Sequence, residues 1–321
     1  VRGGRDGPGS GGVRPRHPPR VMADLVGRLR RRGRGELAVG LVFVLPYALL
    51  WSVFMIWPIL YGFFISLHNW QPVLGSEWVG GKHYADLWRT PRFWNAALNT
   101  GKFAVLVIPL ILGFGLAFAL LLHRRTLKGL AAVESALFFP YLLNVSIVSI
   151  VWMFLFDPDV GIVNHYLRRL GLAPPAFLND PVWVIPTIAL TTAWWLTGYR
   201  MVVFRAALQA IPEELYEGAA LDGAGPGRRL LHVTLPLLKP AMLFAAVLTL
   251  VGGLRTFGQV ILMTGGGPGL SSEVLALYMY RIAFQFLNFG LAAAVGFILF
   301  GTIFVLSLIL FFTLGFESEL R

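Results

Sequence analysis

The chain has 321 residues, of which 56% are hydrophobic and 13% charged, and its mean hydropathy is +0.69. This composition excludes an ordinary soluble domain and indicates a helical protein that crosses a membrane several times. The net charge of +11 does not indicate a nucleic-acid-binding face, because the arginines cluster outside the apolar runs, where membrane topology accounts for them. Without cysteine, the chain offers no disulfide, no catalytic thiolate and no cysteine-ligated metal.

The first 36 residues are rich in Arg, Gly and Pro and hold too few apolar residues to fold alone. Several arginines between Arg28 and Arg34 stand just before the first apolar run. We expect residues 1–36 to be a disordered cytoplasmic tail that touches anionic lipid, with a nucleic-acid-binding arm as the alternative. The apolar run that follows is too long for a signal-peptide core and lacks a clear cleavage site, so we expect it to remain as an anchor.

Six apolar segments follow, each long enough to provide the roughly 20 residues that cross the hydrocarbon core. We therefore predict an all-α, polytopic fold in which residues 37–315 form one six-span transmembrane domain and residues 316–321 a short cytoplasmic tail. The predicted spans lie near Leu37–Ser66, Leu98–Leu122, Leu130–Phe156, Val182–Leu208, Leu238–Met263 and Phe289–Leu314. Prolines inside them are tolerated where neighbouring helices re-satisfy the freed carbonyl groups.

The loops between the predicted spans differ in charge. The tail, residues 123–128 and Arg228-Arg229 are basic, and the positive-inside rule places them in the cytoplasm. The alternate loops, 69–95, 157–180 and 265–284, are longer and mixed in charge, and tryptophans at their margins are typical of an outer membrane interface. An even number of spans then places both termini in the cytoplasm.

A mostly polar stretch, residues 209–237, separates the fourth and fifth predicted spans. Pro212 suits the first position of a helix, and Glu213-Glu214 stand in its first turn, where the helix dipole favours anions. Gly223-Ala-Gly-Pro-Gly227 breaks that helix, and its proline opens a second short helix that we expect to stop near Leu235-Pro236. The pattern predicts a helix–turn–helix on the cytoplasmic surface of the membrane.

This stretch resembles the EAA loop of ABC importer permeases, in which Glu-Ala-Ala is followed by three residues, Gly, nine residues, a branched aliphatic residue, one residue and Leu-Pro. Asp222-Gly-Ala224 also matches the form common in the sugar-uptake branch. Gly218 departs from the pattern, since alanine is usual there, and the change costs about 1 kcal/mol of helix propensity. The resemblance implies an ATPase-coupling loop that contains Glu217, Gly218, Ala219, Asp222, Gly223, Ala224, Leu235 and Pro236.

A second resemblance follows the fifth predicted span. Leu262-Met-Thr-Gly-Gly-Gly-Pro268 resembles the Leu-Thr-Gly-Gly-Gly-Pro turn of sugar-importer permeases, and Ser271-Ser-Glu273 and Tyr278-Met-Tyr280 follow it as they do in that family. The segment from Phe156 to Asn164 likewise resembles the loop after the third span of those proteins. The resemblance implies a binding-protein-facing loop that contains Thr264, Gly265, Gly266, Gly267 and Pro268.

Together the two matches imply a type I ABC importer permease of the carbohydrate-uptake branch, similar to sugar and glycerol 3-phosphate permeases. Such a permease works with a second permease subunit, two ATP-binding subunits and an extracytoplasmic solute-binding protein in the plasma membrane of a prokaryote. Its solute is a sugar, either an oligosaccharide or a sugar or polyol phosphate. Because this sequence holds no G-x-x-x-x-G-K-[ST] pattern, we expect ATP and Mg²⁺ to bind the ATPase chain, and neither a cofactor nor a metal to bind here.

Polar and aromatic residues inside the predicted spans are candidates for the solute path, because a sugar ring has a polar rim and apolar faces. They are Asn144, Ser149, Trp152, Trp195, Tyr199, Arg255 and Gln259. Interhelical hydrogen bonding and packing are the alternative roles for the neutral members of this set.

Arg255 is the most unusual of these residues, since a buried arginine costs about 2.5–3.5 kcal/mol on insertion scales. With Gln259 one helical turn on, it could attract an anionic solute, snorkel outward or form a structural pair. We place Glu134, Arg200 and Arg205 near the cytoplasmic ends of their spans, where snorkelling or contact with the coupling loop would account for them.

Two other functions compete with this interpretation. An ion-coupled secondary transporter would need buried carboxylates near the middle of the membrane, and the predicted spans hold almost none. A membrane-embedded enzyme would need a convergent nucleophile, metal or acid–base set, and the six histidines are scattered among the tail, loops and interfaces. The sequence favours a transport subunit that is not itself an enzyme.

Overall fold

The computed structural model describes Gly3 and residues 40–71, 75–123 and 129–315. The predicted basic tail apart from Gly3, the basic residues 124–128 and the C-terminal residues 316–321 therefore lie outside the described residues. The helices, in chain order, are α1 (Gly40–Ser66), α2 (Lys82–Arg89), α3 (Pro91–Leu122), α4 (Leu130–Phe138), α5 (Val145–Leu155), α6 (Ile162–Arg169), α7 (Val184–Gln209), α8 (Glu213–Leu221), α9 (Pro226–Leu254), α10 (Gly258–Met263), α11 (Leu275–Phe284) and α12 (Phe289–Leu310). Strands β1 (His68–Gln71) and β2 (Gly75–Trp78) pair antiparallel between α1 and α2.

The chain divides into two compact units at Tyr61. The described part of the first unit, residues 40–61, is apolar helix throughout, and a π turn at Ser52–Ile56 stands just before Pro58. Because proline lacks an N–H and its ring crowds the preceding turn, a widened turn lets the helix continue past it. The core, the coupling loop and the other contacts described below belong to the second unit.

Four helices in the described chain are long and apolar enough to cross a membrane: Gly40–Ser66, Pro91–Leu122, Pro226–Leu254 and Phe289–Thr313. A fifth crossing is counted if the segment Leu130–Leu142 and α5, which are bent by 101° from each other, form one span. The all-helical, multi-span fold is therefore confirmed, whereas the count of six spans and the cytoplasmic location of the termini stay predictions.

The third predicted span, Leu130–Phe156, is not one continuous helix. A 3₁₀ turn at Phe139–Leu142 follows α4 and contains Pro140, and α5 starts afresh after Asn144. The Asn144 side chain caps α5 by accepting a hydrogen bond of 2.9 Å from the Ser146 N–H. A proline that interrupts one helix and an asparagine that caps the next explain the bend.

The fourth predicted span corresponds to α7, which is long but is not among the helices apolar enough to be assigned from composition. The reason is its content of threonine, tryptophan and arginine. The hydroxyls of Thr187, Thr191, Thr192 and Thr197 each donate to a carbonyl one turn earlier, at 2.6–3.0 Å. Because α3, α9 and the α4 region enclose α7, protein rather than lipid surrounds these groups.

The fifth predicted span differs at both ends. The short helix that was predicted to stop near Leu235-Pro236 instead runs directly into this span. A π turn at Leu230–Thr234 carries the helical backbone past the proline, as in α1. The prediction that the span continues to Met263 is also wrong, since α9 ends at Leu254 and a break precedes α10. As a consequence, Arg255 and Gln259 are not one turn apart on one helix.

The core of the second unit consists of three clusters of buried apolar side chains. One joins α3, α9, α11 and α12, and a second joins α3, α7, α10 and α11. The third lies where the C-terminal ends of α3 and α7 meet the middle of α9. The first two clusters include Leu275 and Val274, so they support the end of the loop between α10 and α11.

Helix α7 approaches the end of α4 closely at Gly198. A Cβ on this residue would lie 2.1 Å from the Leu137 carbonyl oxygen and 2.8 Å from the Phe138 Cα, both backbone atoms. We expect Gly198→Ala to lower the free energy of unfolding by at least about 1–3 kcal/mol, the usual cost of overpacking. Thermal unfolding of the detergent-solubilised protein measures this change.

Gly113→Ala in α3 is the matched control, because its added Cβ would meet no atom within 4 Å. We expect this change to be neutral or to stabilise the helix by up to about 1 kcal/mol. Equal melting temperatures for the two variants would contradict the close approach of α7 to α4.

Candidate functional site

The predicted coupling loop has the expected helix–turn–helix form. Helix α8 follows α7 after a short link, and a turn of four residues leads from Leu221 to Pro226 at the start of α9. Glu213 and Glu214 lie in the first turn of α8, where the helix dipole stabilises acidic side chains. The second helix of the loop is the beginning of a 29-residue helix, so the loop is continuous with a spanning segment.

Gly223 ends α8 in a Schellman turn. Its φ is +77°, its N–H donates to the Ala220 carbonyl at 3.0 Å, and the Ala224 N–H donates to the Ala219 carbonyl at 2.9 Å. These two bonds satisfy carbonyls that a helix end otherwise leaves open, and the left-handed conformation suits glycine. Gly223 therefore sets where α8 stops, six residues after Glu217.

The outward surface of this loop combines charge with apolar groups. Glu217, Gly218 and Asp222 are exposed, and Ala219, Ala224, Leu235 and Pro236 are half-buried. Leu221 is 91% exposed and Leu231 60% exposed, which makes them the most accessible leucines of the loop. Leu230, beside Leu231, is half-buried. Apolar side chains exposed beside a carboxylate are typical of a surface that a partner covers.

A side-chain hydrogen bond that the sequence did not predict attaches α8 to α9. The Tyr216 hydroxyl lies 3.1 Å from the Thr234 hydroxyl, and Thr234 is buried in the π turn of α9. The bond joins residues on opposite sides of the Gly223 turn. Helix α8 is thus held to α9 both by the backbone turn and by this contact.

Gly223 and Gly218 provide a matched pair of substitutions for testing the turn. We expect Gly223→Ala to destabilise α8 by about 1–2 kcal/mol, because an L residue is strained at positive φ. Gly218→Ala should stabilise α8 by about 1 kcal/mol, since Gly218 is exposed and helical and its added Cβ meets nothing within 4 Å. Amide hydrogen exchange of residues 213–221 measures both changes, and protection that changes in the same direction in both variants would contradict the turn.

The predicted binding-protein-facing loop is tightly organised. Gly265 and Gly266 have φ values of +58° and +91°, and the Thr264 hydroxyl lies 2.8 Å from that of Ser272. The Ser272 hydroxyl also donates to the Gly267 carbonyl at 2.6 Å, next to Pro268. We refer to residues 264–274 as the Gly-rich loop.

The Gly-rich loop is anchored by the carboxylate of Glu273, which is fully buried. Arg92, in the first turn of α3, binds it through two hydrogen bonds of 2.8 and 2.7 Å. Arg281 of α11 also donates to this carboxylate and, through its other terminal nitrogen, to the Gly265 carbonyl. A carboxylate between two guanidinium groups is well satisfied although it is removed from water.

Further contacts hold the same loop against the start of α3. The side-chain amides of Asn95 and Asn99 donate to the Leu270 carbonyl at 2.8 and 3.0 Å. With Arg92, these residues occupy one face of the helix, and the sequence analysis missed this set because the second span was started at Leu98. Polar residues at a spacing of three and four just before an apolar run are the signal that could have identified it.

The pKa of Glu273 lies below its ordinary value of 4.5. Burial alone would raise it, but the hydrogen bonds and charges of Arg92 and Arg281 outweigh that effect. Because the folded-state pKa is depressed, the carboxylate contributes stability above its unfolded-state pKa and loses this contribution as the pH falls through its folded-state pKa.

We expect Glu273→Gln to lower the free energy of unfolding by about 3–5 kcal/mol at neutral pH, since it leaves two arginines without their counter-charge. The variant should also lose less additional stability than wild type between neutral pH and pH values below the ordinary carboxyl range. Glu77→Gln, at an exposed position of β2, is the control and should change stability by no more than about 0.5 kcal/mol. Thermal unfolding across pH tests both statements, and identical pH profiles for wild type and Glu273→Gln would contradict them.

The predicted solute-path residues on α5 and α7 have different surroundings. On α5, Ser149 is fully buried, and neither its hydroxyl nor the Trp152 indole nitrogen has a hydrogen-bond partner in the described part of the chain. Trp195 of α7 donates to the Leu143 carbonyl at 3.1 Å, and Tyr199 stacks on Tyr141 with centroids 4.9 Å apart. Trp195 and Tyr199 therefore fix α7 against the bend between α4 and α5, whereas Asn144 caps α5 itself.

The two polar candidates near α10 are separated by the helix break. Arg255 is exposed at the C-terminal end of α9, whereas Gln259 is buried in α10. Neither the structural-pair role nor the shared helical face predicted for Arg255 is observed among the described residues.

Arg200 is not at a span end and does not snorkel. It is buried within α7, donates from Nε to the Thr249 hydroxyl of α9 at 2.8 Å, and lies over the Tyr199 ring at 5.0 Å. Sequence reasoning missed this environment because Thr249 belongs to a different helix. Glu134 and Arg205, by contrast, form an ion pair between α4 and the last turns of α7.

Comparisons with known proteins agree with this geometry. Residues 111–316 match the family described as binding-protein-dependent transport system inner membrane component. The chain is 32% identical to the sulfoquinovosyl glycerol transport system permease protein of Agrobacterium fabrum, over 83% of this chain and 87% of that one. It is 34% identical to the lactose transport system permease protein of Rhizobium radiobacter, over 85% of this chain and 93% of that one.

A solved structure has the same fold. The crystal structure of a bacterial ABC transporter involved in the import of the acidic polysaccharide alginate contains a chain that matches with a TM-score of 0.76 and 25% identity. The match covers 88% of this chain and 96% of that one. The chain thus belongs to the family of binding-protein-dependent transport system inner membrane components, the permeases of ABC importers.

Proposed function

We propose that this chain is the permease subunit of an ATP-driven importer that receives a sugar from an external binding protein and carries it into the cytoplasm. The observation that carries this proposal is the coupling loop. Its first helix, α8, exposes Glu217 and Leu221 and ends at the Gly223 turn, and the helix after the turn, α9, continues as a spanning helix. A carboxylate and an exposed leucine on a rigid helix suit docking into a cleft of another protein.

The assignment of a sugar as solute is supported by the relatives. Two of them are permeases for sulfoquinovosyl glycerol and for lactose, and the matching structure comes from an importer of the acidic polysaccharide alginate. All three solutes are sugars or contain sugar units. They include both neutral and acidic compounds. We propose an oligosaccharide or an acidic sugar derivative for this chain.

The partners follow from the same proposal. The family description names a binding protein, and the organised Gly-rich loop offers it a surface held by Glu273. A second permease subunit and two ATP-binding subunits complete the importer, and ATP and Mg²⁺ bind to those ATPase chains rather than here. In this arrangement the coupling loop and both termini face the cytoplasm of a prokaryotic cell, and the Gly-rich loop faces outward across its plasma membrane.

A pull-down from gently solubilised membranes tests the proposal. Wild type should bring down an ATPase and a second multi-span chain, and Gly223→Asp should lose the ATPase because the strained turn misplaces α8. Gly218→Ala should retain the ATPase, since it leaves the turn intact. Recovery of no ATPase with wild type would contradict the proposed function.

The Tyr216–Thr234 contact provides a second test, one of coupling rather than assembly. Removal of one hydroxyl should cost about 0.5–1.5 kcal/mol, so we expect Tyr216→Phe to reduce sugar uptake per ATP hydrolysed severalfold while the ATPase still assembles. Thr234→Val should have a similar effect, and Thr234→Ser, which keeps the hydroxyl, should restore coupling.

The double variant Tyr216→Phe/Thr234→Val shows whether the two residues act together. If they do, its uptake per ATP should be no lower than that of either single variant. Additive losses, or an unchanged ratio in both single variants, would show that the hydrogen bond plays no part in coupling.

A further inference from the structure

Five aromatic rings follow one another from the hairpin to the end of α9. Trp70 of β1 contacts Phe289, Phe289 contacts Phe284, Phe284 contacts Tyr280, and Tyr280 contacts Phe257. Their successive centroids are 5.4, 5.9, 5.1 and 5.2 Å apart. We call these five residues the aromatic row.

The aromatic row borders a cavity of about 460 Å³ between α11 and α12. Phe257, Tyr280, Phe284 and Phe289 line it together with small and aliphatic side chains, including Ala293. Its volume falls within the roughly 300–1,000 Å³ of small-molecule sites. The alanines leave free the space beside the rings.

Among the residues that the structure describes, Arg255 is the one charged residue that lines this cavity. It follows α9 directly and stands two residues before Phe257, the last member of the aromatic row. Within the described chain, the Arg255 side chain makes neither a hydrogen bond nor an ion pair, whereas its backbone N–H donates to the Val251 carbonyl. A guanidinium at the edge of an apolar cavity favours an anionic group as its neighbour, because no acidic side chain there offsets its charge.

The aromatic rings and the Arg255 guanidinium each match a different part of one ligand. Four rings, those of Phe257, Tyr280, Phe284 and Phe289, give the cavity an aromatic wall. Such a wall suits the apolar C–H faces of a sugar, and the guanidinium suits a carboxylate, sulfonate or phosphate. A neutral sugar would leave Arg255 without a counter-charge. An entirely apolar occupant would do the same.

We propose that the four cavity-lining rings of the aromatic row and Arg255 form a binding site for an acidic sugar, with the sugar against the rings and the acid group on the guanidinium. This inference rests on the proposed function for the sugar class and adds the residue that discriminates acidic from neutral solutes. Arg255 acts here as a specificity-determining residue.

The sequence contains no cysteine, so one introduced cysteine can report on the cavity. Ala293→Cys lines the cavity, and Val160→Cys, at a 77% exposed position outside it, is the control. The rate of modification by a methanethiosulfonate reagent is measured on the assembled importer in detergent. The probes are a disaccharide that carries a uronic acid and the neutral disaccharide obtained by reducing its carboxyl group.

The acidic disaccharide should protect Ala293→Cys at a concentration about tenfold or more below that needed with the neutral one, as expected for a charge-assisted hydrogen bond. Arg255→Gln should abolish this difference, and Arg255→Lys should keep part of it, because the positive charge remains. Neither sugar should protect Val160→Cys. Phe257→Leu should weaken protection by both sugars, since it removes a ring and keeps the charge.

Equal protection by the two sugars, protection by neither, or a preference that survives Arg255→Gln would overturn the proposal. Two other occupants have their own signatures, and either would also overturn it. If lipid fills the cavity, Ala293→Cys stays unreactive until lipid is removed; if the second permease covers it, the cysteine reacts in the isolated chain and not in the assembly. Failure of the proposed function would appear separately, as an absent ATPase in the pull-down.

Discussion

The buried carboxylate of Glu273 is the contact on which one end of the structure depends. It binds Arg92, 181 positions earlier in the chain, and Arg281 on the next helix, and so joins the start of α3, the Gly-rich loop and α11. A buried carboxylate is tolerated only with such partners, so all three segments must be in place together. The loop is therefore organised before any partner arrives, which lowers the entropy cost of docking.

Helix α9 links this end to the coupling loop. It begins at Pro226, beside α8, and ends at Leu254, close to the Gly-rich loop and Arg255. Along its length, the Tyr216–Thr234 bond attaches it to α8, and Thr249 binds the buried Arg200 of α7. The π turn keeps the helix continuous past Pro236, so that helical backbone, and not a flexible link, leads from the turn after α8 into the spanning segment.

The sequence was sufficient for the fold class and for the helix and turn of the predicted coupling loop, because long apolar runs and a glycine at a helix end are local signals. It was not sufficient where the outcome depends on another segment. The sequence predicts Arg200 near a span end because its partner Thr249 lies on another helix, α9. It predicts a helix end at Pro236 because a π turn leaves no clear local pattern. The role of Glu273 was missed for the same reason, since both of its arginines come from other helices.

The central claim is that ATP hydrolysed on another chain drives a sugar through this one. Uptake of the sugar held by the co-purified binding protein, measured in vesicles that contain the assembled importer, tests it most directly. The account predicts accumulation only with ATP on the face that carries α8 and binding protein on the other, unchanged when proton and sodium gradients are collapsed. Accumulation that continues without ATP and stops when a gradient is collapsed would contradict the account and identify an ion-coupled carrier.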